Sequence, residues 1–421
     1  MTATGAGPRR AGGFSCRFCG ARECATFADL GMSPLVQSFL DVRQLNAMEP
    51  FYPLHARVCH ACFLVQLDEF VAPDEIFTEY AYFSSFSDAW IEHAARYAER
   101  MRERLRLDGA SLVVEIASND GYLLRQFAAA GIPVLGIEPA ANVAKAAVKT
   151  GVRTDVSFHG RANAARIARE YGQADLVVGN NVLAHVPDLN DFVAGLKVLM
   201  KPGAVLTMEF PHLQRLIEEN QFDTIYHEHF SYFSFSTAEQ VFAAHGLTLF
   251  DVEELPTHGG SIRIFGRHAE DETKPRTDRV ERMRAGEHAF GLRDIASYRR
   301  FDQKVKATKR DILDFLIGLK RSGKRIVGYG APGKGNTLLN YCGIRTDFLD
   351  YTVDRNPYKQ GKFTPGTHIP IYAPERVRET KPDYVLILPW NWREEIVEQM
   401  SFVREWGCRF LVPIPGPRIL P

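Results

Sequence analysis

The chain has 421 residues, with 51 basic and 51 acidic side chains. A chain of this length exceeds one hydrophobic core, so we expect two or three domains. The zero formal charge gives no electrostatic reason to expect nucleic acid as a partner. No run of about 18 apolar residues occurs, so no membrane span or membrane partner is expected. The first 15 residues lack the apolar core of a secretory signal, which predicts a cytoplasmic protein.

Four of the seven cysteines form two closely spaced pairs near the N-terminus. In each pair the spacing is Cys-x2-Cys, and the residues are Cys16, Cys19, Cys59 and Cys62. Two such knuckles place four thiolates at about 2.3 Å from one ion and leave no open coordination position. The pattern therefore predicts a structural zinc site. The 39 intervening residues exceed the common ribbon spacing, and Cys24 and His60 are the alternative ligands.

A strand, a tight turn and a helix follow one another after residue 111. The first apolar strand spans residues 112–116, and a second, at residues 134–137, ends at Glu138. Such a β-α-β unit places the acidic residue beside a ribose and the helix N-terminus beside the ligand. Only Gly121 of the dinucleotide glycine pattern is in place. The unit is more similar to the first motif of S-adenosylmethionine (SAM)-dependent methyltransferases, with Glu115 as the acidic strand end.

The candidate SAM-contacting residues share one location, in turns at the ends of predicted strands. They are Glu115, Ala117, Asn119, Asp120, Gly121, Glu138, Asp155 and Asn180. Phe158 joins Asp155 on the expected adenine side. Strands and helices continue to alternate and end in a strand pair separated by Gly259 and Gly260. This alternation predicts a seven-stranded methyltransferase sheet.

The segment at residues 223–234, DTIYHEHFSYFS, concentrates side chains that exchange protons. General-base catalysis requires a base whose pKa lies near the working pH, and a developing oxyanion requires hydrogen-bond donors. Histidine and tyrosine suit these two tasks. In an extended segment Tyr226 and Glu228 would point to one side, and His227 and His229 to the other. YHEH is not H-E-x-x-H, so a zinc protease is excluded.

Four motifs follow the paired Cys-x2-Cys head: EIASNDG, NNVLAHVPD, YHEHFSYFS and THGGSIR. Over essentially the whole chain they resemble the sugar C-methyltransferase family, which methylates a carbon of a nucleotide-linked 4-keto deoxysugar. The resemblance is greatest to the C-3 methyltransferases that build branched amino and nitro deoxysugars on dTDP in antibiotic biosynthesis. Many members carry glycine where this chain has Ala117.

The resemblance implies SAM as methyl donor, a structural zinc ion and a dTDP-linked 4-keto deoxysugar as partner. The expected sugar is 3-amino-2,3,6-trideoxy-4-keto-glucose, with a 3-hydroxy 2,6-dideoxy sugar as the rival. The implied active-site residues are Tyr80, His185, Tyr226, Glu228 and His229. We expect His229 to remove the C-3 proton and Tyr226 to stabilise the enolate, with Tyr226 as the alternative base. Glu228 would orient a neighbour or bind the sugar amino group.

The last part of the chain repeats the strand, glycine turn and helix after a long helical stretch. Gly328, Gly330 and Gly333 match G-x-G-x-x-G, and Gly335 replaces the Ser or Thr of a P-loop. This loop either holds NAD or cradles the diphosphate of a nucleotide-sugar. The resemblance favours the nucleotide-sugar. The candidate substrate-binding residues are Gly330, Lys334, Asn336, Asp354 and Trp390.

The expected fold is α/β, with a class I SAM-methyltransferase Rossmann-like domain, a second Rossmann-like domain at the C-terminus and a small zinc-binding domain at the N-terminus. The predicted domains span residues 1–88, 89–280 and 281–421. Two other functions are considered: an NAD-dependent dehydrogenase or epimerase that uses the C-terminal domain, and a zinc scaffold without catalysis. Because three domains already enclose a site, we expect a monomer.

Overall fold

The structure is a computed structural model that describes residues 13–72, 84–86 and 88–420. The chain divides into two compact units, each assembled from three separated stretches of sequence. Unit 1 takes its described residues from Met1–Glu23, Cys59–Leu213 and Phe230–Arg293. Unit 2 takes them from Cys24–Val58, Gln214–His229 and Asp294–Pro421. The three-domain division expected from the sequence stays a prediction.

The strands are numbered in chain order. They are β1 (Cys24–Ser33), β2 (Tyr52–Cys59), β3 (Val65–Gln66), β4 (Val113–Ile116), β5 (Val134–Ile137), β6 (Thr154–Asp155), β7 (Ala174–Asn180), β8 (Met200–Pro211), β9 (Ser231–Tyr232), β10 (Leu247–Leu255), β11 (Ser261–His268), β12 (Ile326–Tyr329), β13 (Thr352–Val353), β14 (Ile371–Tyr372), β15 (Tyr384–Ile387), β16 (Arg409–Val412) and β17 (Arg418–Leu420).

The α-helices of the described residues are numbered in the same way. They are α1 (Asp88–Leu105), α2 (Leu124–Ala129), α3 (Ala141–Lys149), α4 (Arg161–Tyr171), α5 (Leu189–Leu199), α6 (Leu213–Glu218), α7 (Phe235–Ala244), α8 (Asp278–Phe290), α9 (Ile295–Arg321), α10 (Gly333–Cys342), α11 (Arg376–Thr380) and α12 (Arg393–Gln399). None of these helices combines the length and apolar character needed to cross a membrane.

Unit 1 is built on a seven-stranded sheet with the order β10-β11-β8-β7-β4-β5-β6. Strand β11 runs antiparallel to both of its neighbours, and the pairs from β8 to β6 are parallel. This is the sheet predicted from the alternation of strands and helices. The carboxyl ends of β4, β5, β6 and β7 therefore meet at one edge, where open α/β sheets bind their ligands.

The parallel strands of unit 1 are apolar because both faces of the sheet are covered. Val113 and Val114, neighbours in β4, belong to two different clusters of buried apolar side chains. Successive side chains of a strand point to opposite faces, so the two clusters lie on the two sides of the sheet. Strand β5 has the bounds predicted from the sequence, and β4 begins one residue later than predicted.

Unit 2 contains a six-stranded sheet with the order β14-β13-β12-β15-β16-β17. All of its pairs are parallel except β16 with β17. The order is that of a dinucleotide-type Rossmann sheet, as the repeated strand, glycine turn and helix predicted. Glycine is required at position 328 in the central strand, because a Cβ there would lie 2.6 Å from the Thr352 hydroxyl.

The stretch at residues 24–58 belongs to unit 2 because β1 packs against the long helix α9. Phe27 stacks on Phe301 with 4.6 Å between ring centroids. The Asp29 amide donates to the Asp302 carboxylate at 3.3 Å. A strand near the start of the sequence is thus held by a helix almost 300 residues later.

Candidate active site and metal centre

The four paired cysteines converge in unit 1 as predicted. Their Sγ atoms all lie within 4.8 Å of one another, and among the described residues no other metal-binding group of this kind is found. Two of the separations are 3.5 Å between Cys16 and Cys62 and 3.6 Å between Cys19 and Cys59. A tetrahedral zinc ion with sulfur ligands at about 2.3 Å requires edges of roughly 3.8 Å. The cluster therefore fits one zinc ion.

Thiols packed this closely ionise unequally in the absence of a cation. A hydrogen bond from Cys62 lowers the pKa of Cys16 to about 4, and the same bond raises the pKa of Cys62. Burial raises the pKa of Cys59 to about 11. Zinc requires all four ligands as thiolates, so binding it releases the protons that these thiols retain.

The turn between β4 and α2 has an unusual backbone. Ala117, Asn119 and Gly121 have φ angles of 55°, 50° and 77°. Glycine adopts this left-handed region freely, and other residues rarely do. A Cβ on Gly121 would also lie 2.9 Å from a methyl group of Val152. The chain is thus bent sharply at the edge of the sheet where the sequence places the methyl donor.

Carboxylate and amide side chains hold this turn. The Glu138 carboxylate accepts the backbone N–H groups of Asn119 at 2.9 Å and Ala140 at 2.8 Å. Asn119 and Asp120 accept in turn the backbone N–H groups of Ser84 and Ser85, at 2.9 and 3.1 Å. These serine contacts were not predicted, because they depend on which distant segment covers the turn.

Acceptor atoms predominate at this edge. Several of them are buried and have no hydrogen-bond partner within the described residues: Glu115 Oε2, Ser118 Oγ, Asp120 Oδ1 and Asn180 Oδ1. Burial raises the pKa of Glu115, and the carboxylates of Glu138 and Asp120 raise it further. A cationic ligand rich in N–H and O–H donors would satisfy these groups. SAM has an ammonium group, a sulfonium centre and ribose hydroxyls, so the residues fit it.

Asp155 and Phe158 lie at the end of β6, beside the end of β5. The Asp155 carboxylate accepts from Arg166 Nη2 at 2.6 Å and also contacts the Ser157 hydroxyl. Phe158 is 46% exposed, which is unusual for a phenylalanine. The adenine-side position expected for this pair stays a prediction.

A buried charge network at the ends of β8 and β11 was not predicted from the sequence. Glu209 and Arg263 face each other in register and form an ion pair at 2.5 Å. The carboxylate also lies 3.0 Å from His93 Nε2. Burial alone would raise the pKa of Glu209, but His93 and Arg263 outweigh burial and lower it to about 2. Opposite charges inside two apolar stretches, LTMEF and SIRIF, were the signal available in the sequence.

The loop after β7, residues 181–188, carries His185 in a short 3-10 turn at Leu183–His185. His185 is half-buried. Asn181 at the start of this loop and His258 both have left-handed φ angles, 55° and 54°. Their side chains approach to 3.2 Å between Asn181 Nδ2 and His258 Nε2. Asn180 ends β7 and His185 lies in the loop that follows, so both are at the sheet edge formed by the carboxyl ends of the parallel strands.

Residues 223–229 of the His-rich segment belong to unit 2 and turn instead of running extended, so the two-sided arrangement of an extended strand is wrong for them. The His229 N–H donates to the Tyr226 carbonyl at 2.8 Å, and the two rings lie 4.0 Å apart between centroids. His229 Nδ1 lies 2.9 Å from the Thr224 carbonyl oxygen. A carbonyl only accepts, so Nδ1 carries the proton and Nε2 of a neutral ring presents a lone pair.

The other members of the segment are more deeply enclosed. Glu228 is buried. His227 Nε2 lies 3.2 Å from the Pro53 carbonyl, and burial lowers the pKa of His227. This environment gives His227 a structural part in unit 2. Tyr80, the remaining predicted active-site residue, lies outside the described residues.

Lys334 and Trp390 meet in unit 2 beside a carboxylate that was not singled out in the sequence. Trp390 Nε1 donates to Asp223 Oδ2 at 2.7 Å, and Lys334 Nζ lies 5.1 Å from the Trp390 ring centroid. Lys334 Nζ is buried and lacks a hydrogen-bond partner among the described residues. Burial lowers the pKa of Lys334 and raises that of Asp223 to about 6. An anionic ligand at Lys334 would accept a hydrogen bond from Nζ and would compensate the cost of burying a charged ammonium group.

The remaining residues of the glycine-rich loop have local partners. Gly330 has a φ of 86°, and a Cβ there would lie 2.6 Å from the Pro389 ring. The two oxygens of Asp354 accept the backbone N–H groups of Ala331 and Asn356, both at 2.8 Å. Asn336 Nδ2 donates to the Val36 carbonyl at 2.7 Å. These bonds fix the shape of the loop around the N-terminus of α10.

The sheet order of unit 1, its single antiparallel strand and the acceptor-rich turn after β4 define a class I SAM-dependent methyltransferase. Family models agree along the chain. A putative zinc binding domain matches residues 16–77, a methyltransferase domain residues 90–252, and a C-methyltransferase C-terminal domain residues 256–415.

The curated C-methyltransferase NovU of Streptomyces niveus is 37% identical over 407 residues, which cover 96% of each chain. The chain belongs to this family of C-methyltransferases with an N-terminal zinc-binding domain, and it is a SAM-dependent C-methyltransferase. A dehydrogenase or epimerase is not supported by these relatives.

Solved structures with the methyltransferase fold include a SAM-dependent methyltransferase from Anabaena variabilis and the magnesium protoporphyrin IX methyltransferase ChlM from Synechocystis. Each is 15% identical and covers 42% of this chain, and 84% and 82% of the respective structures, with TM-scores of 0.35 and 0.34.

Proposed function

We propose that this C-methyltransferase transfers the methyl group of SAM to C-3 of a dTDP-linked 4-keto deoxysugar. The preferred sugar is 3-amino-2,3,6-trideoxy-4-keto-glucose, and a 3-hydroxy 2,6-dideoxy sugar is the rival. The observation that carries the proposal is His229, whose Nδ1–H is held by the Thr224 carbonyl at 2.9 Å beside the Tyr226 ring. The resemblance of the four sequence motifs supports the choice of substrate.

His229 acts as the base in this reaction. Its Nε2 lone pair takes the proton from C-3, and the C–H electron pair forms a double bond to C-4 while O-4 becomes an enolate oxygen. The Tyr226 hydroxyl donates a hydrogen bond to that oxygen. The electron pair would then return through C-3 to bond the methyl carbon, while the bond from that carbon to the sulfonium sulfur would break and release S-adenosylhomocysteine. The proton on His229 would pass to solvent. SAM supplies an electrophilic methyl group, so no metal is needed for this step.

The other active-site residues position the reactants. His185 lies near the methyl donor, Glu228 binds the sugar amino group or orients a neighbour, and Tyr80 completes the site. Eight residues hold SAM: Glu115, Ala117, Asn119, Asp120, Gly121, Glu138, Asp155 and Asn180. The unsatisfied acceptors among them support this assignment.

The nucleotide diphosphate binds at the N-terminus of α10 in this proposal. Lys334 supplies the counter-charge, and a helix N-terminus adds unpaired N–H groups and a favourable dipole. The buried Lys334 ammonium, for which no described residue serves as hydrogen-bond partner, supports the presence of an anion there. Gly330, Asn336, Asp354 and Trp390 shape the site around it.

The substrate is tested with a panel of dTDP-4-keto sugars incubated with methyl-labelled SAM and analysed by mass spectrometry. A mass gain on the 3-amino sugar at C-3 is the expected result. Methylation of only the 3-hydroxy 2,6-dideoxy sugar selects the rival. A panel without any C-methylated product, from protein that binds S-adenosylhomocysteine, overturns the proposal.

The base is tested by following loss of the C-3 proton in deuterated water. His229→Asn should abolish both exchange and methylation, since it removes the proton acceptor. Tyr226→Phe should slow methylation by about 10²-fold, because it removes one enolate donor, and should leave measurable exchange. Exchange at the normal rate in the His229 variant would show that the base is another group.

A further inference from the structure

We propose that Arg17, which lies between zinc ligands Cys16 and Cys19, is a positioning residue for the loop that carries His185. The inference rests on the proposed function in one respect, namely that His185 belongs to the active site. Metal binding itself requires only the four cysteines. The side chain of Arg17 therefore has contacts to explain that the zinc site does not.

The Arg17 guanidinium joins three separate stretches of unit 1. Its Nη1 donates to the Pro187 carbonyl at 2.8 Å, two residues after His185. Its Nη2 donates to the Leu67 carbonyl. The same group lies 5.5 Å from the ring centroid of Phe230, the residue that follows His229 in the chain. A planar guanidinium has several donors in a rigid fork and can hold two carbonyls at once, which an ammonium does poorly.

The backbone of the same knuckle also holds the helix that follows the loop. Asn190, in the first turn of α5, donates through Nδ2 to the carbonyls of Phe18 at 3.0 Å and Arg17 at 3.3 Å. Its Oδ1 lies 2.9 Å from His245 Nε2. His185 thus lies in a short loop whose end, at Pro187 and Asn190, is tied to one zinc knuckle.

The second knuckle is linked to the stretch that leaves the His-rich segment. Strand β3 pairs with β9, with Val65 opposite Tyr232. The Leu67 N–H donates to the Phe230 carbonyl at 3.0 Å. The Arg17 N–H donates to Gln66 Oε1 at 2.9 Å, which ties the two knuckles to each other. Leu67 thus bonds to the β9 stretch through its N–H and to Arg17 through its carbonyl.

These contacts make the zinc module a support for catalytic groups. Four thiolates on one ion fix the positions of both knuckles, and Arg17 transmits that rigidity to the loop through the Pro187 carbonyl. Misplacement of a reacting group by about 1 Å can lower a rate by about 10²-fold. Loss of the Arg17 side chain should therefore impair catalysis while zinc and the donor site remain intact.

The test compares Arg17→Met with Arg22→Met, a matched control at an exposed arginine of the same module. Both variants should bind one zinc ion and keep the affinity for S-adenosylhomocysteine. Arg17→Met should lower kcat by about 10- to 100-fold with KM for SAM unchanged, and Arg22→Met should stay within about twofold. Arg17→Lys, which keeps the charge but not the fork, should fall in between.

A second readout does not depend on the substrate. Hydrogen–deuterium exchange at residues 181–192 and 230–234 should be faster in Arg17→Met than in Arg22→Met. In a cycle with His185→Gln, the two single losses of kcat should not add, because both act through the same loop. Unchanged exchange and unchanged kcat, or loss of zinc from the Arg17 variants, would overturn the inference. Faster exchange in a protein that methylates no sugar would instead remove the proposed function.

Discussion

Asp223 is a buried carboxylate whose ionisation falls within an accessible pH range. Burial raises its pKa in the folded protein to about 6, whereas an unfolded aspartate titrates near 3.9. Between these values the unfolded chain loses the proton and the folded protein keeps it. The stability that Asp223 contributes is therefore present below about pH 4 and is lost as the pH rises through 6.

We expect Asp223→Asn to remove this dependence, because the amide does not ionise and still accepts from Trp390 Nε1. Between pH 4 and 7 the unchanged protein should lose roughly 2–3 kcal/mol of unfolding free energy relative to the variant. Urea unfolding at several pH values measures the difference. Asp347→Asn, at an exposed aspartate of the same unit, should run parallel to the unchanged protein. Parallel curves for Asp223→Asn would contradict the prediction.

Ala117 occupies a backbone conformation that favours glycine, with a φ of 55°. An alanine there costs about 1–2 kcal/mol, of which part is returned because glycine is more flexible in the unfolded chain. Ala117→Gly should therefore stabilise the protein by about 0.5–1 kcal/mol, seen as a higher melting temperature. A lower melting temperature of the variant would show that Ala117 is not strained in the unchanged protein.

Residue types near the sites were predictable to different degrees. The four cysteines were found because metal ligation fixes their spacing within each pair. Asp223 and Glu209 were missed, since their importance comes from burial beside Trp390 and Arg263. Burial of that kind depends on which strands become neighbours, and a single sequence does not contain that information.

At the level of elements, the turn between β4 and α2 can be tested with two glycines that share a φ of 77°. A Cβ on Gly121 would meet Val152 at 2.9 Å, whereas a Cβ on Gly131 would meet nothing within 4 Å. Gly131→Ala should cost only the backbone term, about 1–2 kcal/mol. Gly121→Ala should cost about 1–3 kcal/mol more and weaken S-adenosylhomocysteine binding at least tenfold. Calorimetric titration and thermal unfolding of both variants measure these effects, and equal behaviour would contradict the prediction.

Elements with a strong hydrophobic pattern were predicted well. Strand β5 appears at residues 134–137 as expected, and the strand pair around Gly259 and Gly260 is present as β10 and β11. The His-rich segment was harder, because the bond from His229 to Thr224 bends a stretch whose composition also suits a strand. Turns closed by side chains leave little trace in hydrophobic periodicity.

For the whole molecule, the zinc site predicts a sharp difference between two cysteines. Cys59→Ser should lose the metal and lower the melting temperature by several degrees, because structural zinc contributes directly to folding. Cys24→Ser should keep one zinc ion per chain, since Cys24 lies outside the four-sulfur cluster. Metal analysis with thermal unfolding decides this. Loss of zinc from the Cys24 variant would require a different ligand set.

The overall organisation was predicted in class but not in its path through the sequence. Both Rossmann-type sheets were expected from their strand, turn and helix patterns. The grouping of residues 24–58 with residues 294–421 was not, because it depends on packing such as Phe27 on Phe301. The monomeric state remains a proposal, and light scattering of the purified protein at several concentrations tests it.

The discontinuous make-up of unit 2 has a consequence for biosynthesis. Strand β1 leaves the ribosome early, but helix α9, on which it packs, is translated more than 260 residues later. At about 5–20 residues per second, β1 waits on the order of tens of seconds for its partner. Strand β1 can pair with β2 soon after synthesis, but the apolar face that packs on α9 stays exposed during most of translation. The yield in cells should therefore depend on chaperones that shield such apolar surfaces.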